Sequence, residues 1–212
     1  MKNVIFISPP AAGKGTFSKY LEEKFNYNHL ATGDVLRERI ASGDRVIKEL
    51  VDNGKLVSDE MIADIISDKI KSLKGSPFII DGCPRTLIQA QMLQNMFEEE
   101  KVTDVAIIKL NIELEDAIKR ILGRVVCSCG KSYNVYYDKL KPKTDGICDS
   151  CGGNLVKRND DDEEKITKRF LSYNSNIHDI VQFYKDCGIL YEIDATKTPD
   201  EIQKNIEDII NG

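Results

Sequence analysis

An α/β fold, with a parallel sheet covered by helices on both faces, is predicted for these 212 residues by three observations. Short runs of near-continuous Val, Ile, Leu and Phe recur along the chain, as strands buried on both faces require. Stretches with helical apolar spacing alternate with them. A glycine-lysine turn joins the first run to the first such stretch, giving the order strand, loop, helix that a phosphate cradle needs.

The first run is Val4-Ile5-Phe6-Ile7, and Phe17, Tyr20, Leu21, Lys24 and Phe25 follow at helical spacing. Residues 34–42 and 46–51 read as short helices, separated by Ser42-Gly43-Asp44 and ended by Asn53-Gly54, which together make a small helical insert. Met61, Ile62, Ile65, Ile66, Ile70 and Leu73 mark the next helix. Gly75-Ser76-Pro77 stops it before the strand Phe78-Ile79-Ile80-Asp81, which ends in an aspartate. Helix resumes over 87–100, 105–110 is strand, and Leu114, Ala117, Ile118, Ile121 and Leu122 mark another helix.

The alternation then breaks. Residues 125–157 are rich in Cys, Gly, Tyr, Lys and Pro without helical period, so they read as a second insert of turns and short strands. The acidic run Asp160-Asp161-Asp162-Glu163-Glu164 suits the N-terminus of a long helix, where the macrodipole favours negative charge, and reads as a solvated helix start. Ile166, Phe170, Tyr173, Ile177, Ile180, Val181 and Tyr184 supply that helix's buried stripe, and Gly188 ends it. Residues 189–193 form a last strand, and Pro199 opens a C-terminal helix carrying Ile202, Ile206, Ile209 and Ile210.

The length suits one α/β core with small inserts, or at most two compact domains. A net charge of −5 argues against broad binding of nucleic acid or an anionic membrane, since either needs a positive field over much of the surface. The N-terminus carries only Lys2 and four consecutive apolar residues, and no stretch is long enough to span a bilayer, so a soluble cytoplasmic protein is expected. In a reducing compartment the six cysteines are not expected to form a disulfide framework.

Ser8-Pro9-Pro10-Ala11-Ala12-Gly13-Lys14-Gly15-Thr16 departs from GxxxxGK[ST] at Ser8. In its context it reads as a turn aiming backbone N–H groups and the Lys14 ammonium at a polyphosphate, with a bland strand-to-helix turn as the alternative. Cys127-Ser128-Cys129-Gly130 and Cys148-Asp149-Ser150-Cys151-Gly152 present two cysteine pairs with 18 residues between them, the layout of a zinc ribbon. Glycine after each pair permits the positive φ that turns N–H groups toward sulfur. Four free thiols, or a redox or iron site, are the alternatives. Cys83 and Cys187 read as ordinary buried thiols. From Arg124 to Arg158 this insert carries seven Lys or Arg against three Asp, so phosphate is a plausible guest.

Six motifs now stand in one order: Ala11-Ala12-Gly13-Lys14-Gly15-Thr16, Ala31-Thr32-Gly33-Asp34-Val35-Leu36-Arg37, Gly54-Lys55-Leu56-Val57, Asp81-Gly82-Cys83-Pro84-Arg85-Thr86, Gly123-Arg124 and Arg158-Asn159-Asp160-Asp161. With them the chain resembles, over essentially its whole length, the adenylate kinases of the zinc-bearing, long-lid bacterial type. The resemblance implies a P-loop nucleotide kinase: a core of residues 1–30, 61–124 and 161–212, an AMP-binding insert of 31–60, and a zinc-ribbon-like lid of 125–160. The implied reaction is reversible, Mg²⁺-dependent transfer of the ATP γ-phosphoryl group to AMP, giving two ADP. A structural Zn²⁺, a monomer, and no nucleic-acid or membrane partner are implied with it.

Carried over by position, Lys14, Asp81, Arg85, Arg124, Arg158 and Arg169 would be catalytic. Ala11, Ala12, Gly13, Lys14, Gly15, Thr16, Arg120, Arg124, Ser132, Tyr133 and Lys197 would hold ATP. Thr32, Arg37, Lys55, Leu56, Val57, Gly82, Cys83, Pro84, Arg85, Gln89, Arg158 and Arg169 would hold AMP, with Gln89 reading the adenine edge. Cys127, Cys129, Cys148 and Cys151 would hold the zinc.

Only His29 and His178 exist, neither in a motif, and both read as structural or surface residues. Against the family pattern, Ser8 and Ala11 replace two glycines of the cradle, Cys83 replaces an aromatic, and Val125 replaces the second of two adjacent arginines. A Cβ at position 11 would strain a left-handed backbone by about 1–2 kcal/mol. The rival readings are another nucleoside monophosphate kinase, with UMP or CMP as acceptor or GTP as donor, and a zinc-ribbon protein that binds nucleic acid.

Overall fold

The computed structural model describes residues 1–52, 57–157 and 161–212. Five strands, β1 (Asn3–Ile7), β2 (Asn28–Ala31), β3 (Phe78–Asp81), β4 (Val105–Asn111) and, near the C-terminus, β8 (Leu190–Asp194), form one sheet in the order β2-β3-β1-β4-β8. Every neighbouring pair is parallel. Parallel strands need covered crossovers, and α1 (Lys14–Phe25), α4 (Asp59–Ser72), α5 (Leu87–Glu99), α6 (Leu114–Leu122) and α7 (Glu163–Asp186) lie on them, while α8 (Pro199–Asn211) follows the last strand. Between β2 and α4 the chain forms α2 (Thr32–Ala41) and α3 (Arg45–Asp52).

Alternation along the strands divides the core in two. Val4, Phe6, Ile79, Ala106, Ile108 and Leu110 face a cluster completed by Phe17 and Leu21 of α1 and by Ile202, Ile206 and Ile210 of α8. Ile5, Ile7, Phe78, Ile80, Val105 and Ile107 face the opposite cluster, built with Ile62, Ile66 and Ile70 of α4, Ala90, Leu93, Met96 and Phe97 of α5, and Ile180 and Tyr184 of α7. A third, small cluster of Val35, Ile47 and Ile65 seats α2 and α3 on α4.

Strand β2 is absent from the sequence reading because Asn28-His29-Leu30-Ala31 has no apolar run. It is an edge strand, and its pairing with β3, Leu30 opposite Ile80 and Ala31 opposite Asp81, supplies what its composition lacks. The predicted helices and remaining strands form within one or two residues of their expected bounds. Caps explain several starts: the side chains of Ser58, Thr86, Asp162 and Thr198 each accept an N–H from the first turn of α4, α5, α7 and α8.

A second, antiparallel sheet lies between α6 and α7. It consists of β5 (Arg124–Cys127), β6 (Ser132–Asn134) and β7 (Leu155–Val156), in the order β6-β5-β7. Its own buried cluster is only Cys127, Tyr133 and Cys148, with Val125 and Leu155 packed against it. No helix among the described residues is long and apolar enough to cross a membrane.

Truncating Ile79, fully buried at the centre of β3, should cost about 2–5 kcal/mol. Val46→Ala, at a 62% exposed position, should change stability by less than about 0.5 kcal/mol. Urea unfolding of both variants measures the contrast; equal effects would mean that the sheet does not carry the core described here.

Candidate active site

The candidate residues gather along the C-terminal edge of the large sheet, where β1 lies between β3 and β4 and the chain leaves in opposite directions on either side. The turn between Ile7 and Lys14 leaves β1 there. Gly13, at φ 101°, is the N-cap of α1, and its carbonyl accepts from the N–H groups of both Thr16 and Phe17. The first turn of α1 therefore points its N–H groups and the positive end of its dipole at the strand ends. A Cβ at Gly15 would meet nothing within 4 Å, so the space above this turn is open. Ala11 does adopt the left-handed backbone, at φ 66°, so the strain expected for its Cβ is present. Ala12 is buried beneath it.

The register of β1 on β3 sets Phe6 opposite Asp81. Across that gap Lys14 Nζ lies 3.3 Å from Asp81 Oδ1, while His29 Nε2 of β2 lies 3.7 Å from Oδ2. Burial works against the Asp81 charge, but His29 and Lys14 outweigh it and hold the carboxyl below its ordinary value. Burial also opposes the charged form of His29. The carboxylates of Asp81, Glu22 and Asp34 prevail there too, and its pKa lies above the ordinary 6.5. At 3.7 Å the His29–Asp81 contact is an ion pair rather than a hydrogen bond. Sequence reasoning missed His29 because only the β2–β3 pairing brings it to the site. His178 is exposed on α7.

Beyond Asp81, Gly82 adopts φ 90°, and a Cβ there would come within 2.5 Å of Thr32 Oγ1 and 3.4 Å of Arg85 Nη2. Glycine is what lets these two side chains close on the strand end. Thr32 Oγ1 donates to the Asp81 carbonyl at 3.2 Å, and Arg85 Nε donates to the Gly82 carbonyl at 2.8 Å. Cys83 and Pro84 are both buried, and burial pushes the Cys83 thiol up to about 12. Gln89, buried in the first turn of α5, accepts from Arg85 N through Oε1 and donates from Nε2 to Asp59 at 2.8 Å. Arg37 lies on α2, but its side chain is outside the described set, as are Lys55, Leu56 and Arg158 altogether. Val57 packs at the margin of the core cluster beneath the sheet edge.

One further cation is tied to the end of β8, and the others lie on β5 and α7. Arg120, in the last turn of α6, donates from Nη2 to the Ala195 carbonyl at 2.5 Å, beside the turn that carries exposed Lys197. Arg124, at the start of β5, makes a two-pronged contact with Asp161, its Nε 2.9 Å from Oδ2 and its Nη2 on Oδ1. The Asp161 side chain is only 2% exposed. The acidic run is therefore not uniformly solvated: Asp161 is a buried partner for Arg124, and Asp162 caps α7. Arg169 projects from the second turn of that helix.

Within the small sheet, the sulfurs of Cys127, Cys129, Cys148 and Cys151 lie within 4.8 Å of one another, with Cys127 and Cys151 3.4 Å apart and Cys129 and Cys148 3.7 Å apart. Four thiolates about 2.3 Å from a tetrahedral Zn²⁺ stand about 3.8 Å apart, so the cluster fits that ion closely. Gly130 and Gly152 take the positive φ expected after each pair, 85° and 72°. The Cys148 thiol is drawn down to about 6, first by the Tyr133 hydroxyl and then, against burial, by the backbone N–H groups of Ser150 and Cys151. Tyr133, expected near ATP, turns its ring inward; its hydroxyl lies 3.5 Å from Cys148 Sγ and accepts from Asp149 N at 2.8 Å. Ser132 remains exposed on the same strand.

Because the His29 pKa is raised on folding, its contribution to stability is complete below about pH 6.5 and is lost as pH rises through the higher folded-state value. Asp81, whose pKa is lowered, stays ionised over that window. His29→Gln should therefore cost more stability near pH ~5.5 than near pH ~9. Urea unfolding at both values is the measurement, and a pH-independent difference would refute the charge pairing.

The sequence matches the adenylate kinase family model over residues 6–189. The adenylate kinase of Archaeoglobus fulgidus is 40% identical over 215 residues, covering 98% of this chain and 97% of its own. That of Fervidobacterium nodosum is 39% identical over 217 residues, covering 99% and 98%. That of Borreliella burgdorferi is 40% identical over 208 residues, covering 96% and 95%. A glycine-lysine turn and an arginine-bearing loop after β3 on one sheet edge are thus joined to near full-length similarity, and the chain belongs to the adenylate kinase family of nucleoside monophosphate kinases.

Proposed function

We propose that this chain transfers the γ-phosphoryl group of ATP to the phosphate of AMP, reversibly, giving two ADP. The observation that carries the reading is the convergence on Asp81 of two groups of residues suited to phosphate, the Lys14 turn on one side and Thr32, Gly82 and Arg85 on the other. Two phosphate chains laid into these clusters meet end to end. An AMP phosphate oxygen is an anionic nucleophile at neutral pH, so it forms its bond to the γ-phosphorus as the β–γ bridging bond breaks, and ADP leaves with the electron pair. No proton need be removed, and what the protein supplies is alignment and positive charge.

Lys14 exchanges its Asp81 contact for the transferred group, held by the backbone of Ala11, Ala12, Gly13, Gly15 and Thr16. Thr32, Arg37, Lys55, Leu56, Val57, Gly82, Cys83, Pro84, Arg85 and Gln89 form the AMP site. Arg120, Ser132 and Lys197 bound the ATP base, and Tyr133, its ring turned into the cysteine cluster, borders it through its backbone. Arg124 is held by the Asp161 carboxylate, and phosphate oxygens of the same two-pronged geometry replace that carboxylate when the insert closes. Arg158 and Arg169 join it. Mg²⁺ arriving with ATP would supply positive charge against the phosphate oxygens, and the Thr16 hydroxyl and, through water, the Asp81 carboxylate are the hard oxygen donors that would hold it.

Residues 31–60 close over AMP and residues 125–160 over ATP, excluding water from the phosphoryl group. The four cysteines hold a structural Zn²⁺, closed to other ligands, that gives the lid the stability its small apolar cluster lacks. The enzyme acts as a cytoplasmic monomer.

Purified protein should convert ATP and AMP to ADP, and Lys14→Ala should lower kcat by about 100-fold or more. Faster turnover with UMP than with AMP would overturn the acceptor assignment. Metal analysis should return one zinc per chain. Its removal by a chelator should lower Tm by about 5 °C or more, given about 2–4 °C per kcal/mol for a domain of this size; an unchanged Tm would count against a structural metal.

A further inference from the structure

The reading of Gln89 as the residue that meets the adenine edge leaves open how a glutamine tells adenine from a 6-oxo purine. A side-chain amide presents a donor at one end and an acceptor at the other, and a half-turn exchanges them at almost no cost. A glutamine free to turn could satisfy either base: adenine offers an acceptor at N1 and a donor at the 6-position, whereas hypoxanthine and guanine offer a donor at N1 and an acceptor at the 6-position.

Gln89 is not free to turn. Its Oε1 accepts from Arg85 N at 2.6 Å, and a backbone N–H can only donate. Its Nε2 donates to Asp59 Oδ1 at 2.8 Å, and a carboxylate can only accept. Cys83 Sγ, 3.6 Å from Oε1, is a neutral thiol at physiological pH and adds a weak donor on the same side. Reversing the amide would set N–H against N–H and oxygen against oxygen at once. Asp59 is itself fixed, because its other oxygen, Oδ2, accepts from Thr86 Oγ1 at 3.0 Å, and that hydroxyl accepts in turn from Gln89 N at 3.1 Å. Asp59, Thr86 and Gln89 thus form a closed hydrogen-bonded ring joining the start of α4 to the start of α5. Gln89 is 8% exposed, while Asp59 and Thr86 are half-buried, so the ring is shielded from competing water on its Gln89 side.

We propose that Asp59 is a specificity-determining positioning residue, which with the Arg85 backbone N–H locks the Gln89 amide in the one orientation that accepts a 6-amino purine and refuses a 6-oxo purine. Only one Nε2 proton is bound to Asp59. The other is left for the acceptor base, where it meets the N1 lone pair of adenine but would oppose the N1–H of hypoxanthine. Asp59 touches no reacting atom, so its influence falls on the choice of acceptor and not on phosphoryl transfer.

The inference rests on Gln89 reading the base, and the test separates the two. Initial rates with AMP and with IMP as acceptor, at saturating ATP, give the ratio of kcat/KM for the wild type, Asp59→Asn, Asp59→Ala and Gln89→Ala. Asp59→Asn keeps the shape of the side chain and can face Gln89 with either an oxygen or an NH₂, so it removes the Asp59 half of the lock while preserving the ring and leaves the Arg85 N–H to hold the amide alone. Both Asp59 variants should reduce the AMP-over-IMP ratio about 3- to 10-fold, the worth of one net hydrogen bond. KM for AMP should rise, and KM for ATP should not move. A purely structural role for Asp59 would lower Tm or both activities together and leave the ratio intact. If Gln89→Ala collapses the ratio while both Asp59 variants keep the wild-type value, Gln89 reads the base unaided and the positioning role is wrong. If Gln89→Ala also leaves the ratio unchanged, the base is read elsewhere and the underlying assignment of Gln89 fails as well.

Discussion

The arrangement depends on the parallel pairing of β1 with β3. Register on a strand is a two-state matter, since a slip of one residue sends every side chain to the opposite face. Here Val4 pairs with Ile79 and Ile5 with Ile80, so each strand gives alternate residues to each of the two cores. A slip would place residues of one core in the other along the whole of β3. The same register sets Phe6 opposite Asp81, and the strand ends of β1 and β3 therefore lie side by side. Burial of aliphatic side chains far from the site is what holds Lys14 within 3.3 Å of Asp81.

Around that point four cations of the site already rest on an oxygen. Lys14 lies on Asp81, Arg85 on the Gly82 carbonyl, Arg120 on the Ala195 carbonyl and Arg124 on Asp161. These partners do two things. They limit the repulsion among like charges gathered in one cleft, and they hold long, flexible side chains near the positions a phosphate would occupy. Substituting a phosphate oxygen for a carbonyl or carboxylate is then an exchange of acceptors and not the ordering of a free chain, which is how a site binds polyanions on a protein of net charge −5.

What the sequence made legible follows from what each element depends on locally. Strands β1, β3 and β4 and helices α1, α4, α7 and α8 are written in apolar spacing, and the cysteine knuckles in spacing and glycine. Strand β2 was not legible, because an edge strand with one buried residue carries no period of its own. His29 was hidden for the same reason. Asp161 read as one member of a solvated acidic run, since a run of like residues conceals the one that turns inward to Arg124. The family resemblance sets Tyr133 beside ATP, and its ring belongs to the cysteine cluster. A motif gives a residue's place along the chain, and the direction of its side chain is settled by strand alternation.

The small sheet shows how these levels join. Its apolar cluster of Cys127, Tyr133 and Cys148 is too small to hold three short strands together, so cohesion must come from the sulfurs and the groups that orient them. Tyr133 contributes to both, packing its ring in the cluster while its hydroxyl bridges Cys148 Sγ and Asp149 N. Strand β6, which carries Tyr133, also presents Ser132 to solvent and Asn134 to the end of α6, where Asn134 Nδ2 donates to the Arg120 carbonyl at 2.8 Å. At that junction a Cβ on Gly123 would come within 2.3 Å of Asn134 Oδ1 and 2.6 Å of the Tyr136 ring, so only glycine allows the sheet to approach the end of α6 this closely. The cysteine cluster thus fixes β6, β6 meets the junction through Asn134, and the junction adjoins Arg120 and Arg124. The cysteine cluster is in this way joined, through one strand, to the segment that carries Arg120 and Arg124.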